Sequence, residues 1–215
     1  GAGAWVAGAI PHRLPGGEAA PASGRDALSM LREPRQAYVL MGIEADLDVA
    51  DPAAARAAFA GARCVVAISS YATDALRRDA DVLLPLAPFS ESAGTFINCA
   101  GTRQSFQAAL RPAGEARPGW KILRVLGDLL DAPGFAYDDL DAVRAEVAAA
   151  LEDAHTAPAV DADPTTLAWP GDAGGLVRLG EVPPYAGDAI VRRSLPLQRR
   201  TDVLPAAVHL CAAQA

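Results

Sequence analysis

Between Glu91 and Gln104 the chain carries an acid, two glycines, a Gly-Thr step, an asparagine and an Arg-Gln pair. The loop follows an apolar run, Ala80-Asp81-Val82-Leu83-Leu84-Pro85, that ends in proline. These residue types suit an anion cradle. Backbone amides near Gly94 and Gly101 can approach a ligand closely, with Thr95 beside them. Asn98 can hold a loop carbonyl, and Arg103 can pair with a phosphate. The alternative is structural: glycines at positive φ, Asn98 capping a turn, and a Glu91–Arg103 ion pair.

Other chemistries have less support. Cys64, Cys99 and Cys211 lie far apart, and His12, His155 and His209 are scattered. Neither zinc nor an iron–sulfur cluster finds its spacing here. Cys64 and Cys99 read as small core residues. No G-x-G-x-x-G follows a strand. Gly42-Ile43-Glu44-Ala45 sits where such a turn belongs, and an acid at Glu44 has the wrong sign for a phosphate. Ser69-Ser70 lacks a G-x-S-x-G surround and reads as a helix cap before Tyr71. Arg192-Arg193 and Arg199-Arg200 are basic pairs that either meet an acidic partner or face water.

The elements that must position these residues follow from periodicity. Gly1–Ile10 reads as one turn or short helix, and Pro11–Gly24 as loop. Asp26 caps a helix Ala27–Arg32. Ala37–Gly42 and Cys64–Ser69 read as strands buried on both faces, and Val82–Leu86 as a third strand. Asp51 and Pro52 open a helix to about Ala60, and Thr73–Arg78 forms another. Strand–helix–strand with short links predicts a doubly wound, mainly parallel α/β sheet. Phe96-Ile97-Asn98 adds a short irregular strand. Trp120–Leu130 predicts a helix whose Trp120, Ile122, Leu123, Leu126, Leu129 and Leu130 stripe packs on the sheet. A last helix spans Leu140–Leu151 with a Val143, Val147 and Leu151 face. From Glu152 to Gly175 the composition is that of a linker. Leu176–Val182 and Ala186–Arg193 lie in an extended or partly helical tail. The domain reading is a connecting segment 1–34, an α/β domain 35–151, and a linker and tail 152–215.

The 215 residues, half of them apolar, suffice for a sizeable core. A net charge of −7 excludes a simple nucleic-acid binder. Three separated cysteines fit a reducing compartment. No run has the length of a membrane span, and no signal peptide opens the chain. It starts Gly1-Ala2-Gly3-Ala4, without an initiator methionine. The expectation is a start inside a longer polypeptide or at a trimmed edge.

Taken in order, Ala80–Pro85, Glu91–Gln104 and the Ala113–Leu123 stretch with its Pro118-Gly119-Trp120 resemble the molybdopterin-oxidoreductase superfamily. One departure is Thr102, which stretches the Gly101–Arg103 step by a residue. A second is the Gly42 turn. Members that bind a guanine dinucleotide carry G-x-N-P there, where this chain has Glu44 and Ala45. Gly8–Arg13 with Pro15-Gly16-Gly17, Tyr38–Glu44, and Val177–Tyr185 with Asp188–Arg193 narrow the resemblance. It becomes the C-terminal part of the large iron–sulfur subunit of bacterial NADH:quinone oxidoreductase (respiratory complex I).

The resemblance implies a molybdopterin-oxidoreductase-type α/β domain whose pterin site has been lost. Gly94, Thr95, Asn98 and Arg103 would then be vestigial, with no catalytic or metal-binding residue in this segment. It implies 4Fe-4S and 2Fe-2S clusters in an N-terminal region of the parent polypeptide, and no cofactor here. Its partners would be that region and other complex I subunits, with no nucleic acid and no membrane span of its own. The location would be peripheral, on the cytoplasmic side of the bacterial inner membrane. Two other readings stay open: the C-terminal portion of a catalytic, formate dehydrogenase-like molybdopterin enzyme, and a free-standing module for a small ligand.

Overall fold

The structure, a computed structural model, describes residues 2–98, 100–152 and 185–200. The chain divides into two units, Gly1–Val160 and Asp161–Ala215. The expected linker beyond Glu152, Leu176–Val182, Cys99, Cys211, His155 and His209 lie outside the described residues.

The first unit opens with α1 (Ala2–Val6) and a 3-10 turn over Pro15–Gly17. Arg13 stacks its guanidinium 4.9 Å from the Trp5 ring centre and donates to the Gly17 carbonyl at 3.3 Å. Gly17 has φ +79°, and a Cβ there would overlap the Trp5 ring. The Pro-Gly-Gly run is therefore a packing requirement. α2 (Ala27–Arg32) starts where expected, with the Asp26 carboxylate accepting from the Ser29 amide at 2.7 Å.

β1 (Ala37–Met41), β2 (Cys64–Ser69) and β3 (Val82–Pro85) form a parallel sheet in the order β1-β2-β3. Between β1 and β2 run α3 (Ala45–Asp48) and α4 (Pro52–Ala60); α5 (Asp74–Asp79) joins β2 to β3. Asp51 and Thr73 cap α4 and α5, accepting from the Ala54 and Leu76 amides at 2.9 and 3.2 Å. A steady strand order with right-handed crossovers puts both crossover helices on one face. The core confirms this. Tyr38, Leu40, Val65 and Ala67 bury against Ala55, Ala58 and Phe59 of α4 and Leu76 of α5. Tyr38 meets Phe59 edge-on at 5.1 Å, and its hydroxyl donates to the Met30 carbonyl at 2.9 Å, tying α2 to the sheet.

The expected parallel α/β sheet is present as three strands in steady order, and the strand-order reversal of a doubly wound sheet is not among the described residues. Nor is β1 buried on both faces: it alternates, with Val39 58% exposed between buried Tyr38 and Leu40. Val39 aligns with Val66 and Val82 across the sheet. That row lies on the face opposite α4 and α5, and Val82 is 43% exposed. α4 and α5 cover one face; on the other Ile68 is buried and Val66 and Leu84 are half-buried while Val39, Met41 and Val82 are exposed, so apolar runs that look two-sided in sequence are covered unevenly in the fold.

β4 (Gly94–Ile97) and β5 (Arg103–Phe106) form a separate antiparallel hairpin. The irregular strand expected at Phe96–Asn98 is thus one arm of a pair. α6 (Gly119–Leu129) forms as predicted. Gly119 sits against Met41 and Leu86, the apolar residues Trp120, Ile122, Leu123 and Leu126 are half-buried, and Leu129 and Leu130 are exposed. α7 (Leu140–Ala150) is capped by Asp139 accepting from the Ala142 amide at 2.8 Å, and buries Leu151 beyond its end.

In the second unit the described residues form a 3-10 turn, Val191–Arg193, and α8 (Leu195–Gln198).

Candidate functional site

The Glu91–Gln104 loop lies beyond the carboxyl end of β3, where open α/β sheets bind ligands. Its expected ligand groups are brought together in the hairpin and used there. Gly94 opens β4 opposite Phe106, and a Cβ on Gly94 would stand 2.7 Å from the Phe106 ring. The Phe106 ring, stacked on Phe96 at 4.9 Å, occupies the space the glycine leaves. Thr95 bonds Ser105 across the hairpin, hydroxyl to hydroxyl, at 2.9 Å. The Asn98 side-chain oxygen accepts from the Ala100 and Thr102 amides at 3.0 and 2.8 Å. The Asn98 amide in turn donates to the Thr102 carbonyl at 3.2 Å. Thr102, the extra residue, thus closes the turn, and Gly101 supplies its φ of +79°. Arg103 begins β5 opposite Ile97.

The expected Glu91–Arg103 pair does not form. Glu91 accepts from the Ala113 amide at 2.8 Å, fixing the loop before α6. Arg103 is exposed, and among the described residues no hydrogen bond or ion pair of its side chain is present.

Sequence reasoning missed Arg144. From α7 its Nη2 donates to the Gly94 and Phe106 carbonyls, both at 3.2 Å, and its Nη1 reaches Asp141 at 3.1 Å. One guanidinium therefore holds the open end of the hairpin. The available signal was an arginine beside Val143 on the apolar side of an otherwise amphipathic helix. Glu146, nearby on α7, accepts from the Tyr137 hydroxyl at 2.6 Å, which holds that phenol above its ordinary titration range.

At the end of β1, Gly42 has φ +65° and donates to the Ile68 carbonyl at 2.9 Å. Glu44 follows, 5% exposed, at the start of α3. Its amide donates to the Asp48 carboxylate at 2.7 Å, so a second acid already occupies the amide end of that short helix. A pyrophosphate would meet a buried carboxylate and a capped helix start. Asp46, on the same helix, binds Arg56 at 2.8 Å and Arg78 at 3.3 Å, and Arg56 first among them holds its carboxyl below the ordinary value. Ser69 is buried and closes its own turn, donating to the Tyr71 carbonyl at 3.0 Å and accepting from the Tyr71 amide at 3.1 Å. Its hydroxyl is committed to that turn. Among the described residues no three metal-ligating side chains gather.

A molybdopterin dinucleotide does not fit these residues. The glycine it would approach is filled by Phe106, the asparagine is committed to its own turn, and the β1 end carries Glu44. Among the described residues no helix is long and apolar enough to cross a membrane.

The molybdopterin oxidoreductase family profile matches residues 17–129. The G subunit of NADH-quinone oxidoreductase from Streptomyces coelicolor is 34% identical across 67% of this chain and 20% of its own length. The G subunit from Mycobacterium bovis is 34% identical across 68% of the chain and 21% of its own length. The mitochondrial NADH-ubiquinone oxidoreductase 78 kDa subunit of Candida albicans is 45% identical over 65 residues, 30% of this chain and 9% of that protein. The chain spans about a fifth or less of the length of these curated relatives. It belongs to the molybdopterin oxidoreductase family and is homologous to the G subunit of NADH-quinone oxidoreductase.

Proposed function

We propose that this domain is a cofactor-free structural part of a large iron–sulfur polypeptide in the peripheral arm of a NADH:quinone oxidoreductase. In this reading the 4Fe-4S and 2Fe-2S clusters belong to another region of the parent polypeptide. The domain braces that region and offers surface to neighbouring subunits on the cytoplasmic side of the inner membrane. Electron transfer from NADH to quinone runs outside it. The doubly wound arrangement is completed by chain that covers the Val39–Val66–Val82 row. No residue here is assigned a catalytic role.

The carrying observation is Glu44, a carboxylate buried to 5% exposure at the end of β1, where a dinucleotide would place its phosphates. The closed Gly94–Phe106 and Asn98–Thr102 contacts support the same reading.

The test is the pterin and metal content of the full-length protein, purified with its assembly. Molybdenum and tungsten are measured by mass spectrometry, and pterin by fluorescence after oxidation. The expected result is no pterin and no molybdenum or tungsten, with iron and acid-labile sulfide present. Stoichiometric pterin would overturn the reading.

A further inference from the structure

We propose that the end of α6 is a docking knob for a basic surface on another protein chain. Residues 125–143 hold five aspartates and no basic residue, in a chain whose net charge is −7. Asp128, Asp131, Asp138, Asp139 and Asp141 are all exposed. The two arginines that bound this segment turn to backbone carbonyls. Arg124 donates to the Tyr137 carbonyl at 3.0 Å, and Arg144 to those of Gly94 and Phe106. Arg144 also reaches Asp141 at 3.1 Å, and Asp139 caps α7. None of the ion pairs among the described residues involves Asp128 or Asp131. These two acids flank Leu129 and Leu130, which are 75% and 76% exposed.

The knob has a fixed shape. The Phe135 ring fills the space beside Gly127, folding the chain back along α6. The Asp131 amide donates to the Asp128 carbonyl at 3.1 Å and the Ala132 amide to the Gly127 carbonyl at 2.9 Å, the hydrogen-bond pair of a Schellman turn. Glycine ordinarily fills the left-handed position of that turn. Here Asp131 fills it, at φ +52°, the one non-glycine residue at positive φ among the described residues. The last turn of α6 holds no basic residue, and Asp128 lies at the end of the helix where the dipole is negative. The helix alone would favour a glycine and a lysine at these two positions. Two acids beside two bare leucines go against those preferences at one place, and such local conflicts concentrate at functional sites.

An apolar pair with carboxylates at its edge suits an apolar recess rimmed by lysine or arginine. The turn is already closed, so docking orders little chain. Charge at a rim speeds and orients the encounter of separately diffusing molecules. A region of the same polypeptide is already held at high effective concentration and gains little from it, which favours another chain. Other occupants fit less well. A second copy would bring like charges together, and an anionic lipid surface repels the aspartates. A metal ion would want further ligands, and no group of three gathers among the described residues.

The test places p-benzoylphenylalanine at Leu129 in the full-length protein within its native assembly, followed by irradiation and mass-spectrometric identification of the joined peptide. The expected product joins position 129 to a peptide of another chain carrying two or more lysines or arginines. Asp128→Lys with Asp131→Lys should lower its yield at least tenfold, and glutamates in place of the bases of the joined peptide should restore it. Asp131→Gly is the second variant. Glycine suits the backbone there, so the α6 amides should exchange no faster, yet the yield should still fall at least twofold. Adducts only to the polypeptide itself or to lipid, an adduct to a peptide without bases, no adduct, or a yield indifferent to either charge change would each overturn the proposal. Docking rests on the reading of this domain as part of an assembly, but pterin content is unaffected by any of these outcomes, so the two readings fail separately.

Discussion

Gly94 and Asn98 decide between a ligand cradle and a self-contained turn. Gly94→Ala pushes a methyl group into the Phe106 ring, from which an ideal Cβ stands 2.7 Å away. The expected cost is about 1–3 kcal/mol, read as a lower urea midpoint. A cradle glycine would instead leave the midpoint unchanged. Asn98→Ala removes the acceptor for two amides and should cost about 1–2 kcal/mol, whereas Asn98→Asp keeps the acceptor and should stay near the parent protein. Equal losses in the two variants would show that the bonds to Ala100 and Thr102 do not matter. The loop was legible in sequence as a set of turn-forming residues. Its partners were not, because Phe106 and Arg144 reach it across the fold and nothing in the local spacing announces them.

At the level of elements, two clamps carry the expectations. Arg144 holds the carbonyls of Gly94 and Phe106, which are otherwise the frayed end of a two-stranded ribbon. Arg144→Met should raise amide exchange in β4 and β5 at least tenfold while leaving β1 to β3 protected. Arg144→Lys should recover part of the protection, since an ammonium cannot serve both carbonyls and Asp141 with the geometry of a guanidinium. The second clamp is Asp46, which ties α3 to Arg56 of α4 and Arg78 of α5. Its carboxyl is held below its ordinary value of 3.8. A depressed carboxyl stabilises the fold above its unfolded value and loses that contribution as pH falls through the folded one. Asp46→Asn should therefore lower stability at neutral pH and flatten the decline below about pH 4, measured by urea midpoints across pH. An unchanged acid limb would show that the pair is solvent-screened. The elements themselves were largely legible: α2, α4 and β2 begin and end where caps and apolar runs place them. β5 was not, because Arg103-Gln104-Ser105-Phe106 has little strand character until Gly94–Ile97 is laid beside it.

For the whole molecule, the informative surface is the row Val39–Val66–Val82. It is the exposed edge of a face on which Ile68 is buried, and helices or another chain normally close such a parallel sheet face. Val39→Lys combined with Val82→Lys should reduce self-association of this chain in sedimentation. The effect on stability should stay within about 0.5 kcal/mol per site. A loss above about 2 kcal/mol would mean that the row is already buried by another part of the chain. The parallel order of the sheet was readable from strand–helix alternation. Which positions stay open was not, because both faces of β1 to β3 are written in the same apolar residues, and only tertiary packing separates exposed Val39 and Val82 from buried Ile68.

The reach of Arg144 also sets an order in time. It lies 50 residues after Gly94 and 38 after Phe106. During synthesis both hairpin arms leave the ribosome well before the residue that fastens them. At about 5–20 residues per second the ribbon waits on the order of 2–8 s for its clamp. Its stacked Phe96 and Phe106 give a chaperone an apolar stretch to hold during that wait.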